Sequence, residues 1–172
     1  MTRADYYKVG PGGVKALHAL EQYLRTSGLE PALMELVKLR ASLMNGCAYC
    51  VDLHTKDARA KGETEQRLFA VPVWHETPFF SPRERTALAW TEAVTQIGRS
   101  GVSDALYGEA QAQFTENELV GLTFAVIAIN AWNRLAVTFR PAVGSYKPAA
   151  ATAASASRGG RIRPVAAIGS ST

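Results

Sequence analysis

Cysteine is scarce in this 172-residue chain: there are two, Cys47 and Cys50, three positions apart. So sparse a set excludes a disulfide-stapled secreted scaffold. In a chain large enough to build a core without crosslinks, it suits a reactive or metal-binding pair better than a structural staple. Long apolar runs are lacking too: none approaches the roughly 18 to 20 residues needed to span a bilayer. The opening MTRADYYKVGPGG has no apolar stretch of the secretory kind, so a cytoplasmic protein with no membrane partner is expected. Acid is absent from residues 148–172, which carry three arginines, whereas residues 1–147 carry sixteen Lys and Arg against fifteen Asp and Glu. The net charge of +4 and the pI near 9.2 therefore describe mostly the tail. A nearly neutral body offers no electrostatic footprint for nucleic acid. No strand-like alternation of any length occurs, and GPGG at residues 10–13 reads as a turn, because a phosphate-cradling glycine loop would follow a strand.

What is present is helical period with clear punctuation. Val14, Leu17, Leu20 and Leu24 form one stripe ending at Gly28. Pro31 suits the first turn of a second helix, packing through Leu33, Leu36, Val37 and Met44 until Asn45 and Gly46 break it. A third helix should run from about Cys47 to Gly62, where glycine suits a left-handed cap. Thr64 caps a short fourth through Arg67 and Leu68, and VPVWHETPFF reads as a packed connector. Ser81 with Pro82 and Glu84 forms a capping box opening a helix through Leu88, Val94 and Ile97 to Gly98. Ser103 caps another short helix, and Thr115 with Glu118 opens the last, LVGLTFAVIAINAWNRLAVTFR, which stops before Pro141. Apolar on nearly every face, that helix belongs in the centre of the core or in a subunit interface. The fold class is all-α, a bundle of about six to seven helices, and residues 148–172, small, polar and poor in large apolar side chains, are expected to be disordered.

On a helix, positions 47, 50 and 54 share one face, so two thiols and an imidazole converge. A cysteine of ordinary pKa about 8.5 is only about 3% thiolate at pH 7, and lowering it to about 6.5 takes roughly 2.7 kcal/mol of preference for the anion. A helix dipole supplies about 0.3 to 1 kcal/mol, so a base is needed. His54, one turn from Cys50, can take the thiol proton, and a carboxylate on its other nitrogen would orient it and raise its basicity. From the residues alone, zinc remains open as well, with Cys47, Cys50 and His54 as ligands and a fourth from His75, Glu35 or water. His18 has no partner pattern, and spacing alone makes Glu35 a solvated helix residue one turn from Lys38.

The stretch from Glu35 to His54, ELVKLRASLMNGCAYCVDLH, resembles the core motif of the AhpD-like alkylhydroperoxidases within the carboxymuconolactone decarboxylase superfamily: an acid twelve residues before the first cysteine, then C-x-x-C-x-x-x-H. TKDARAKGETEQRL, WHETPFFSPRERTALAWTEAVT and INAWNRL look like this family too, so the likeness covers most of residues 20–147. The resemblance implies one all-helical domain over residues 1–147, assembling as a homotrimer or homohexamer. It implies a thiol peroxidase acting on alkyl hydroperoxides or hydrogen peroxide, with Cys50 as the peroxidatic cysteine, Cys47 as the resolving one, and Glu35 and His54 as the proton relay. An external dithiol of dihydrolipoyl or thioredoxin type would reduce the resulting disulfide, with no metal or organic cofactor. Some relatives carry histidine immediately before the second cysteine. Tyr49 stands there in this chain, and a phenol of ordinary pKa about 10 donates a hydrogen bond but is a poor base at neutral pH. Two other readings belong to other classes: a lactone decarboxylase, against which the C-x-x-C pair argues, and a non-enzymatic redox sensor or zinc-stabilised oligomer.

Overall fold

The computed structural model describes residues 2–148. Among them there is no strand, and nine α-helices form the all-α bundle: α1 (Tyr6–Val9), α2 (Pro11–Leu24), α3 (Pro31–Met44), α4 (Ala48–Ala60), α5 (Glu65–Ala70), α6 (Pro82–Thr95), α7 (Ile97–Ser100), α8 (Asp104–Gln113) and α9 (Glu116–Phe139). The connector after α5 is a 3-10 stretch, Val71–Glu76.

Local chemistry sets most of these boundaries. Pro11, Pro31 and Pro82 sit in the first turns of α2, α3 and α6, where a missing N–H costs nothing. The capping boxes of Ser81 with Glu84 and Thr115 with Glu118 are both formed, so each satisfies two otherwise orphaned amides. Arg140 takes a left-handed conformation after α9, and the chain turns away at Pro141.

Several expectations are corrected. The bundle has nine helices rather than six or seven, because α1 and α7, four residues each, are too short to show a period. The first long helix ends at Leu24, not Gly28, and residues 25–28 form a turn whose Gly28 has positive φ. The helix opened by Ser81 ends at Thr95, where Gln96 leaves helical geometry, so Ile97 belongs to α7. The expected tail over residues 148–172 lies, beyond Pro148, outside the described residues.

α3 is the central element, in contact with α4, α6 and α9. Leu33 and Val37 of α3 join Leu24, Trp90, Leu122 and Val126 in one buried cluster, while Leu36 and Leu39 join Leu68, Val71, Trp74 and Leu88 in another. Each such buried side chain contributes about 1.5 to 3 kcal/mol relative to exposure. α9 is long and apolar enough, by length and composition, to cross a membrane, contrary to the expectation that no segment would be. Half of its most apolar window is nevertheless buried in the bundle. Its inward side carries Leu122, Val126, Ile129 and Ala136, and Val120, Phe124, Ile127 and Val137 remain exposed.

Candidate active site

The turn between α3 and α4 is where the cysteines are held. Asn45 ends α3, and Gly46 follows with φ of 63°, a left-handed conformation that a side chain would disfavour. The Asn45 side-chain amide donates to Oδ1 of Asn130 (3.0 Å) and of Asn133 (2.8 Å), both on α9. Asn133 Nδ2 donates to Ser42 Oγ at 3.1 Å, and the Cys47 N–H donates to the Ser42 carbonyl at 2.9 Å. Asn130 and Asn133 are buried, and their bonds to the half-buried Asn45 and to Ser42 tie the turn to α9, which gives the cysteine loop a fixed seat.

Cys47 is the N-cap of α4, and its sulfur accepts from the Cys50 N–H at 3.3 Å. The expected cysteine position at a helix start is therefore realised, with one first-turn amide, that of Cys50, directed at the Cys47 sulfur. Cys47 and Cys50 are joined as a disulfide with Cα atoms 5.4 Å apart. They pack with Ala41, Ile129 and Ala136, flanked by Tyr49 and Trp132. Cys47 is 1% exposed and Cys50 4%. A cavity of about 530 Å³ opens on this cluster. Among the described residues, Cys50, Tyr49, His54, Glu35 and Trp132 help to line it and Cys47 does not.

One turn on from Cys50, the buried His54 ring meets the buried Glu35 carboxylate, Nδ1 to Oε2 at 2.8 Å. The other Glu35 oxygen accepts from Lys61 Nζ at 2.6 Å. Burial alone would raise the Glu35 carboxyl. The hydrogen bond and charge of His54, then those of Lys61, outweigh it and hold the carboxyl down at about 2. An ionised Glu35 has no proton to give, so Nδ1 carries the hydrogen of that bond and Nε2 is left as the basic nitrogen. The solvated reading of Glu35 beside Lys38 is wrong: Lys38 turns to Glu21, 2.5 Å away, and Glu35 faces the imidazole.

Glu35, Cys47, Cys50 and His54 thus come together as the motif implies, within the stretch where the carboxymuconolactone decarboxylase family profile matches, residues 11–93. YdfG of Bacillus subtilis, itself uncharacterised, is 41% identical over 135 residues, which is 78% of this chain and 92% of the relative. A solved structure from Agrobacterium tumefaciens, of unknown function and provisionally assigned as an antioxidant defence protein AhpD, is 45% identical with a TM-score of 0.80. It covers 83% of this chain and 98% of that one. The chain belongs to the AhpD-like carboxymuconolactone decarboxylase superfamily. The alkyl hydroperoxide reductase AhpD of Acidobacterium capsulatum is 47% identical over a shorter 47 residues, 27% of this chain and 26% of the relative.

For this AhpD-like chain the site holds more than the motif names. Asp57 on α4 and Lys61 at its C-cap continue the stripe of 50 and 54 at helical spacing, a signal the sequence did carry. Glu35, His54 and Asp57 present donor atoms within 4.8 Å of one another. Tyr6 and Tyr7 of α1 line the cavity, and no local pattern pointed to them. His75 is not part of the site: it stacks on Trp74 and faces Glu92 at 3.3 Å, so the fourth zinc ligand suggested for it is not brought to the cysteines.

Proposed function

We propose that the protein is a thiol-dependent peroxidase that reduces organic hydroperoxides, or hydrogen peroxide, through Cys50 and Cys47. The observation carrying this reading is the asymmetry of the pair: Cys50 lines the cavity beside the His54–Glu35 pair, whereas Cys47 is sealed behind it at the helix cap.

In the reduced protein, His54 Nε2 takes the Cys50 proton and the first turn of α4 favours the thiolate. The thiolate attacks the distal peroxide oxygen and the O–O bond breaks. The alkoxide leaves as alcohol with the proton returned from His54, and Cys50 becomes a sulfenic acid. The Cys47 sulfur then attacks Cys50, forming the disulfide and releasing water. An external dithiol of dihydrolipoyl or thioredoxin type returns both thiols, which suits a reducing compartment such as the cytoplasm. Glu35 keeps His54 oriented with Nε2 free, and each step uses groups of the chain and that external dithiol. Tyr49 stands at the cavity wall, where a hydroxyl can donate a hydrogen bond to a bound hydroperoxide. The exposed apolar residues of α9 support assembly as a homo-oligomer, a trimer or hexamer of this one-domain unit.

The test is steady-state reduction of an organic hydroperoxide with a dihydrolipoyl donor. The intact protein should turn over repeatedly, and Cys50→Ser should consume no peroxide above the uncatalysed rate. Full multiple-turnover activity in Cys50→Ser would reject the assignment.

A further inference from the structure

The segment after α9 returns across α4. Lys56 Nζ donates to the carbonyls of Gly144 (3.3 Å) and Tyr146 (3.1 Å) while pairing with Asp52 at 2.9 Å. The Gly144 N–H donates to Asp52 Oδ2 at 3.2 Å. These contacts alone would anchor the segment. One more goes further: the Tyr146 hydroxyl donates to Asp57 Oδ1 at 2.7 Å, and Asp57 lines the Cys50 cavity beside His54 and Glu35.

The charges around His54 show what that carboxylate does. From α3, Glu35 is matched by Lys61, which follows α4, and Lys38 is matched by Glu21 of α2. Arg25 after α2, His18 of α2, Tyr6 and Tyr7 of α1, and Tyr49 of α4 also line the cavity. Asp57 forms no ion pair among the described residues. It is therefore a negative charge left to act on the imidazole, at a separation where Coulomb interaction is substantial.

We propose that Tyr146 and Asp57 form a second arm of the relay, in which Tyr146 positions the Asp57 carboxylate beside the imidazole so that its negative charge stabilises the ion pair formed when the Cys50 proton passes to His54. Both are positioning residues, acting through His54. The inference rests on the relay reading given above, but not on which oxidant the thiolate meets. Burial, then the hydrogen bond and charge of Asp57, push the Tyr146 phenol above its ordinary pKa, so it stays protonated as a donor at any physiological pH.

The experiment is the pH profile of iodoacetamide alkylation of Cys50 in the reduced full chain carrying Cys47→Ser, compared among the parent, Asp57→Asn, Tyr146→Phe, the double variant and His54→Gln. Asp57→Asn should move the midpoint upward, giving a roughly three- to tenfold lower rate at pH 6. Tyr146→Phe should act in the same direction by about twofold, and the double variant should go no further than Asp57→Asn, because Tyr146 acts through that carboxylate. A shift in His54→Gln with none in Asp57→Asn overturns this inference alone. No shift in His54→Gln overturns the relay itself. Additive effects of Tyr146→Phe and Asp57→Asn would make Tyr146 only an anchor. Tyr146→Phe removes one oxygen at a partly exposed site, so it keeps the test decisive even if Asp57→Asn does not fold.

Discussion

Glu35 shows how a single buried carboxylate ties function to stability. Its folded pKa of about 2 lies below the ordinary glutamate value of about 4.3 expected in the unfolded chain, so the unfolded state binds the proton first as pH falls. The associated stability is present in full above about pH 5 and is lost as pH falls through the unfolded value toward 2. It amounts to about 3 kcal/mol over that interval. Urea unfolding at pH 7, 4 and 2.5 should show this loss in the parent and a clearly smaller one in Glu35→Gln, and equal losses would contradict the assignment. Glu35 is also where residue-by-residue reading had least purchase. A glutamate three positions before a lysine on one helix reads as a surface pair, and only the three-dimensional placement of Glu21 draws Lys38 away. The motif resemblance pointed to the acid, while His54 and Cys50 were legible from spacing because they share a turn of one helix.

Among the elements, α9 carries two faces with different work. One holds the core and, through Asn130 and Asn133, the cysteine turn, and the other leaves Val120, Phe124, Ile127 and Val137 exposed. This apolar outer stripe is the surface that the proposed homo-oligomer would bury. Sedimentation should therefore find a trimer or hexamer, and Phe124→Glu with Ile127→Glu should lower the mass to that of a smaller species with the helical content retained. A monomeric parent would contradict the oligomer. The outer stripe was legible only as surplus hydrophobicity: the sequence showed apolar residues nearly all round, and which of them the bundle covers depends on how α2, α3 and α6 pack. Caps were legible to the residue, since Ser81, Thr115 and their glutamates act within one turn. α1 and α7 escaped because four residues show no period.

For the whole molecule, the site is a meeting of distant segments. α3 supplies Glu35, α4 supplies Cys50, His54 and Asp57 with Cys47 and Lys61 as its two caps, α1 supplies two tyrosines to the cavity wall, and the segment after α9 brings Tyr146. Contacts made within one helix could be read from spacing, whereas Tyr146 meets Asp57 across 89 residues and leaves no local trace. The arrangement opens one sulfur to the cavity and buries the other behind it, and the proposed peroxidase reading stands on that asymmetry. Its most direct measurement exposes reduced Cys47→Ser protein to one equivalent of organic hydroperoxide, traps sulfenic acid with dimedone, and locates the adduct by peptide mass spectrometry. The account predicts near-stoichiometric labelling at Cys50 and none in the Cys47→Ser, Cys50→Ser double variant. An unlabelled Cys50 after the peroxide has been consumed would contradict it.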